Sequence, residues 1–291
     1  MKILVTGGSG FVGKVLVARL RTDGHNVVAL CRNDSGNGVQ CNLLDRKQSQ
    51  KTLEKYKDFD CIIHTAALAH GQTHPEGQTV DEINFRMTKV LVDCLGNSCG
   101  MMLFPSSISV YGVNIGTEQV SLSMAPEPAS AYGRGKLKCE QFLMDFGFNR
   151  FHCLRLPPVY DYKNMTDIKK RVYFPWQSFL KMRLIPSPVY SFLDVSNLAE
   201  TVVHLIHDTR NGAWLHLLCD PKPTLQSDLL KMFPGIQVPV PLWLVSSMKM
   251  VNFFLPGKLR GKVNEIYAKL FMNTFFQSES IRFEESGRES K

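Results

Sequence analysis

Short apolar runs alternate with stretches of helical spacing through the first half of the chain. Lys2–Thr6, Asn26–Cys31, Val39–Asn42, Cys61–Thr65, Met101–Ser106 and Phe151–Leu156 are compact apolar runs and predict strands. Between them, Val12–Arg21 and Thr88–Leu95 place apolar residues three and four apart and predict helices. Strands separated by helices pair in parallel through right-handed crossovers, with helices on both faces. The pattern predicts an α/β fold built on a doubly wound parallel sheet of the Rossmann type.

After Leu156 the rhythm changes. Pro157, Pro158, Pro175, Pro186 and Pro188 interrupt a region rich in Lys, Arg and aromatic residues. A strand-like Val189–Leu193 leads into a helix-like Val195–His207, and Ala213–Leu218 reads as a strand that rejoins the sheet. We expect residues 1–156 plus about 190–220 to form the main domain around this sheet. Residues of about 157–189 plus 221–291 would then form a smaller substrate lobe. Val238–Leu255 reads as a helix packing that lobe, with Lys258, Arg260 and Lys262 in solvent, or as a segment lying on a membrane surface, and Glu279–Lys291 as a polar, frayed tail.

Composition changes this picture little. Of 291 residues 44% are hydrophobic and 21% charged, which are globular proportions. The net charge of +8 attracts polyanions without choosing among nucleic acid, membrane surface and a phosphorylated small molecule. Eight cysteines without any Cys-x-x-Cys argue against a disulfide framework or zinc site and for a reducing, cytoplasmic home. No signal peptide fits Met1-Lys2-Ile3-Leu4-Val5, and no apolar stretch is long enough for stable membrane insertion.

The first strand runs directly into Gly7-x-x-Gly10-x-x-Gly13, whose Phe11 and Val12 would also border a bound cofactor, and Val12–Leu20 follows as an apolar helix pattern. Such a turn brings bare backbone close to a pyrophosphate and aims a helix N-terminus at its charge. Its place inside a β-α-β unit makes it a dinucleotide-binding signal. The second strand ends Cys31-Arg32-Asn33, with no carboxylate before Asp34 to take both ribose hydroxyls. Arg32 can pair with a 2′-phosphate, which leans toward NADP over NAD; a solvated arginine stacked on adenine is the other reading. Asn42, with Leu43 beside it, ends the third strand where it can meet the adenine edge.

Tyr132 and Lys136 stand four apart, on one face of a helix, after a strand ending Pro105-Ser106-Ser107-Ile108-Ser109-Val110-Tyr111-Gly112. Together these pieces resemble the extended short-chain dehydrogenase/reductase family, and within it the nucleotide-sugar epimerase/dehydratase branch. The resemblance is carried by the glycine loop, His64-Thr65-Ala66-Ala67, Asn84, Ser107, Tyr132/Lys136 and Phe192-Leu193-Asp194-Val195-Ser196-Asn197-Leu198-Ala199. It covers roughly residues 1–210.

The resemblance implies that Tyr132 is the acid/base and that Lys136 lowers its pKa while holding the nicotinamide ribose. Ser107 would hydrogen-bond the reacting oxygen, and Thr65, Ala66 and Ala67 would border the cofactor. A phenol titrating near 10 needs adjacent positive charge to act as a base at neutral pH. Sugar dehydratases of this family carry an Asp-Glu pair after the catalytic hydroxyl residue; Ile108 and Ser109 stand here instead, which disfavours dehydration. Asn197 occupies a position where the family often has aspartate. Ser109 and Arg155 are candidate substrate contacts, Arg155 for a diphosphate.

Other signals carry less. His70 and His74 are four apart, but Gly71 and Pro75 favour a loop and no third ligand is evident, so we expect no metal. Lys163, Lys169, Lys170, Arg171, Lys181 and Arg183 form a basic cluster that suits a substrate diphosphate or plain solvent. No nucleic-acid motif accompanies it. The leading expectation is a nucleotide-sugar 4-epimerase or 4-keto-sugar reductase. Reduction of an apolar ketone or aldehyde, and a non-catalytic cofactor sensor, are the alternatives. Many members of the family pair through helices flanking the sheet, which makes a homodimer a further expectation.

Overall fold

The computed structural model describes every residue except 34, 35, 37, 69–76, 115–118, 176, 246–262, 264–266, 268, 269, 272 and 284–291. Strand β1 (Lys2–Thr6) runs into helix α1 (Phe11–Thr22), and β2 (Asn26–Cys31) returns beside β1 in parallel. The alternation continues through β3 (Val39–Gln40), α2 (Arg46–Leu53), β4 (Cys61–His64), α3 (Val80–Leu95), β5 (Met102–Ser107), α4 (Ala131–Phe146) and β6 (Arg150–Leu156). Next come β7 (Val159–Tyr160), α5 (Thr166–Val172), β8 (Leu180–Ile185), β9 (Val189–Tyr190), β10 (Leu193–Asp194) and α6 (Val195–Ile206). Strand β11 (Gly212–Leu217), β12 (Thr224–Leu225), α7 (Gln226–Met232), β13 (Ile236–Pro241) and β14 (Glu279–Arg282) follow.

The large sheet has eight strands in the order β14-β11-β6-β5-β4-β1-β2-β3. All pairs are parallel except β14, which lies antiparallel to β11 at the edge. This is the doubly wound sheet that the sequence predicts. The chain progresses one way from β1 to β3 and the other way from β4 to β6. That reversal opens a crevice at the carboxyl ends of β1 and β4.

The period-2 alternation of a strand sorts side chains onto the two faces. Ile3 and Val5 of β1 join Leu16 and Leu20 of α1 and Leu198 and Val202 of α6 on one side. Leu4 joins Leu53 of α2, Leu91 and Leu95 of α3, and Leu143 of α4 on the other. Each such fully buried side chain contributes about 1.5–3 kcal/mol. A third, smaller cluster of Ile168, Val172, Tyr190, Phe192, Leu229 and Leu230 lies among the later elements.

Several boundaries differ from expectation for local reasons. Helix α3 starts at Val80 rather than Thr88, because Thr79 and Glu82 form a capping box, with the Thr79 N–H donating to Glu82 at 2.9 Å. Strand β3 stops before Asn42, whose side-chain oxygen turns the chain by accepting the Leu44 N–H at 3.2 Å. The expected Val189–Leu193 strand divides into β9 and β10, because Ser191 N donates to the Thr274 carbonyl at 2.8 Å between them.

The helix expected from Val238 is a strand at its start. Ile236–Pro241 pairs in parallel with β8. Pro239 and Pro241 are two apart, so both turn their nitrogens to the same unpaired side and no ladder bond is lost. Residues 246–262, with Lys258, Arg260 and Lys262, lie outside the described residues. Glu279–Arg282, expected in a frayed tail of the lobe, instead forms the edge strand of the large sheet, where its backbone pairs with β11.

Candidate active site

The crevice is built first by glycine. Gly7 holds a left-handed φ of 66°, and a Cβ there would come within 2.8 Å of the Ala66 nitrogen. Gly13 packs so closely on the Gly7 carbonyl that no side chain fits. The Gly10 N–H donates to the Gly7 carbonyl at 2.8 Å, and Ser9 and Gly10 are exposed at the α1 N-terminus. A bare, accessible backbone at a helix N-terminus suits a dinucleotide pyrophosphate. Phe11 and Val12 are half-buried behind it.

The opposite wall is the end of β4. Thr65 Oγ1 donates to the Thr6 carbonyl at 2.5 Å, and the Ala66 N–H to Thr6 Oγ1 at 3.1 Å. His64 bridges Thr6 and Thr88 at 2.7 and 3.0 Å, and burial lowers its pKa to about 3. This clamp, which the sequence reading missed, fixes β1 against β4. Asn84 holds the backbone of Leu68 through both amide atoms, at 2.7 and 3.2 Å, and so shapes the loop carrying Ala66 and Ala67. Arg32 is exposed at the end of β2, Leu43 is buried in the core, and Asp34 lies outside the described residues.

Ser107 closes β5 at the same end of the sheet. Its hydroxyl lies 3.1 Å from Ser109 Oγ and accepts the Ser109 N–H at 3.1 Å. Helix α4 starts where Ser130 accepts the Gly133 N–H at 3.0 Å, which places Tyr132 in its first turn. Lys136 is buried, donates to the Pro105 carbonyl at 2.7 Å, and sits 5.8 Å from the Tyr132 ring centroid. Gly133 and Gly135 let α4 lie close to its neighbours: the first packs against the Ser109 carbonyl, and a Cβ on the second would meet Asp81 Cα of α3 at 2.7 Å.

A family model described as the NAD dependent epimerase/dehydratase family matches residues 3–214. The chain belongs to that family. This epimerase/dehydratase-family chain is 30% identical over 200 residues to GDP-6-deoxy-D-talose 4-dehydrogenase of Aggregatibacter actinomycetemcomitans, covering 66% of this chain and 60% of that one. It is 29% identical over 164 residues to UDP-glucose 4-epimerase of Erwinia amylovora, covering 50% and 48%. The matches thus span between about half and three-fifths of these curated relatives.

The UDP-Glc/GlcNAc 4-epimerase of Campylobacter jejuni superposes with a TM-score of 0.68 at 16% identity, covering 92% of this chain and 99% of that one. UDP-glucose 4-epimerase of Thermotoga maritima, solved with UDP-glucose, gives 0.67 at 19% identity, covering 83% and 86%. These likenesses show that the chain shares the doubly wound α/β fold of those epimerases.

Within this family member, two expectations about charge change. Burial pushes the Tyr132 phenol up to about 12, and the Asp167 carboxylate pushes the same way. The nearby ammonium does not offset that desolvation, and burial lowers the Lys136 pKa as well. Arg155, expected at a substrate diphosphate, is 3% exposed and forms a bidentate pair with Glu140. Its Nη1 donates to Tyr111 Oη at 2.8 Å. Only 4% of its side-chain surface is exposed, and these partners occupy it within the protein. Ser109 is also buried, its hydroxyl turned to Ser107.

The basic cluster divides in the same way. Lys181 is buried and caps α7 by donating to the Leu230 and Phe233 carbonyls at 2.9 and 2.8 Å. Arg171 is buried over the rings of Tyr190 and Phe192, at 5.1 and 5.3 Å. Lys163, Lys169, Lys170 and Arg183 are exposed. Asn197 donates to Asp220 at 2.7 Å, and Asp220 also accepts from Tyr160 Oη and the Asp194 N–H. Among the described residues no three His, Cys, Asp or Glu side chains group as a metal site; His70 and His74 lie outside them. No helix among the described residues is long and apolar enough to cross a membrane.

Proposed function

We propose that this chain is a nicotinamide-dependent enzyme that interconverts a carbinol and a ketone on a nucleotide-linked sugar, as a 4-epimerase or a 4-keto-sugar reductase. The observation that carries the reading is that Lys136, 5.8 Å from the Tyr132 ring on α4, bonds the Pro105 carbonyl two residues before Ser107 on β5, with one strand between it and β1 with its glycine loop. Relatives named for UDP- and GDP-sugars support the substrate class. The division into a dinucleotide domain and a substrate lobe belongs to the same proposal.

The residues present fit a dinucleotide. Gly7, Gly10 and Gly13 leave the backbone room that a pyrophosphate needs, and Thr65–Ala67 and Lys136 border its nicotinamide end. When bound, that group supplies the hydride acceptor or donor. Ser107 orients the reacting oxygen by hydrogen bonding. Tyr132, protonated at neutral pH, is poised to give its proton to that oxygen. Using it as a base requires added positive charge, since each pH unit between about 12 and neutrality corresponds to about 1.4 kcal/mol.

The test is to denature purified protein, identify any released dinucleotide, and assay UDP- and GDP-hexoses with NADH and NADPH. Retained NAD with interconversion of 4-epimers supports the epimerase. An empty site with NADPH preference, lost in Arg32→Ala, supports the reductase. Turnover of apolar ketones but of no nucleotide sugar overturns the substrate class.

A further inference from the structure

Behind the reacting groups lies a buried charge network that the proposed mechanism does not use. Tyr132, Lys136 and Glu140 follow one another at one-turn intervals along α4, and Pro105, Ser106 and Ser107 are consecutive at the end of β5. The two series are tied by two rungs. Lys136 Nζ donates to the Pro105 carbonyl at 2.7 Å, and Ser106 Oγ donates to the Glu140 carboxylate. Arg155 of β6 holds that carboxylate from the far side, with Nη2 at 2.8 Å and Nε at 3.3 Å from Oε2. Arg155 Nη1 then donates to Tyr111 Oη at 2.8 Å, in the segment that also carries Ser109.

Glu140 is 1% exposed and Arg155 3%. Desolvating two such charges offsets most of their attraction, so a well-packed apolar pair would serve stability as well or better. What an apolar pair cannot reproduce is directional bonding to Ser106 and Tyr111 at once. We propose that Glu140 and Arg155 are positioning residues, which set the register of α4 on β5 and thereby the separation of Tyr132 and Lys136 from Ser107. The inference rests on the function proposed above. Small errors in such a separation weigh heavily on rate. Lys136 also faces Glu140, Cys139 and Cys153, each of which opposes the lowering of its pKa by burial.

The double variant Glu140→Leu/Arg155→Met removes both charges and leaves neither ion alone. We expect a cooperative melting transition within a few degrees of wild type, kcat reduced about tenfold or more, and KM changed less than threefold. A well-folded double variant with wild-type kcat overturns the proposal. Should the double variant not fold, Tyr111→Phe replaces it, because it keeps the ion pair and removes only the Arg155–hydroxyl bond. There a fall in kcat of threefold or more at constant KM is expected, and unchanged kcat overturns the proposal.

Should wild type turn over no nucleotide sugar, the functional reading fails. Positioning is then judged without substrate, from the pH midpoint of Lys136 acylation read by peptide mass spectrometry. In the double variant that midpoint falls if the network acts on the site; an unmoved midpoint overturns the proposal.

Discussion

The Lys136 ammonium bonds the Pro105 carbonyl, two residues before Ser107 on β5. A side chain placed to serve a reaction is thus also a tie between α4 and the sheet. Lys136→Met is expected to lower turnover by about 10²–10⁴-fold. It also removes a hydrogen bond to a buried carbonyl, at about 1–3 kcal/mol of stability. Tyr132→Phe should lower turnover by a similar factor with little change in melting temperature. Steady-state rates and thermal melts on both variants, side by side, check the contrast.

At the glycine loop the expected failure is in binding. Gly13→Ala drives a methyl group into the Gly7 carbonyl. The loop has to shift, and dinucleotide affinity should fall about tenfold or more as the backbone leaves the pyrophosphate. Fluorescence titration with NADH measures it. Gly24→Ala is the control for a glycine whose Cβ would meet nothing within 4 Å, although its φ of 82° carries its own strain.

Three buried imidazoles set a pH dependence. His152 and His216 contact each other at 3.0 Å across β6 and β11, and His216 also meets Ser280 of β14 at 2.7 Å. Burial lowers their pKa values to about 4 and about 3, and that of His64 to about 3. Folded-state pKa values below the unfolded 6.5 mean that the unfolded chain binds more protons in between. The stability they contribute is complete above pH 6.5 and is lost as pH falls toward 4. The slope approaches about 1.4 kcal/mol per pH unit for each imidazole. Urea unfolding between pH 7 and 4 should show this loss, and His152→Gln/His216→Gln should flatten it.

The Asn197–Asp220 bond yields a prediction about the family's more frequent residue. Asn197→Asp replaces a donated hydrogen bond by two facing carboxylates. Destabilisation of about 1 kcal/mol or more is expected. Repulsion between an exposed and a half-buried charge is partly screened by salt, so the melting-temperature deficit of the variant should shrink at high ionic strength.

The parts of the site legible in the sequence are those fixed by local geometry. The glycine spacing states its own turn, and the interval from Tyr132 to Lys136 states a shared helix face. Glu140 lay one further turn along that face, so the partner of Arg155 was within reach of the same periodicity. The sequence instead points Arg155 at a substrate, because a charge in a strand does not disclose which helix covers it. The need for glycine at 133 and 135 depends on Ser109 and Asp81, which only the folded chain brings near. Thr79-x-x-Glu82 was a readable start signal for α3. The strand pairing of Pro239 and Pro241 was less so, since it depends on which strand edge remains unpaired.

The edge position of β14 also bears on the order in which the molecule can be assembled during synthesis. Strands β1 to β6 and β11 all precede residue 218. The strand that covers β11 is supplied only at Glu279–Arg282. While the intervening stretch is being translated, the ladder groups of β11 stand open. An exposed parallel edge of this kind recruits stray strands. The nascent chain is therefore most prone to aggregation in that interval, and a ribosome-bound chain halted before residue 279 should engage holdase chaperones more strongly than one released past it.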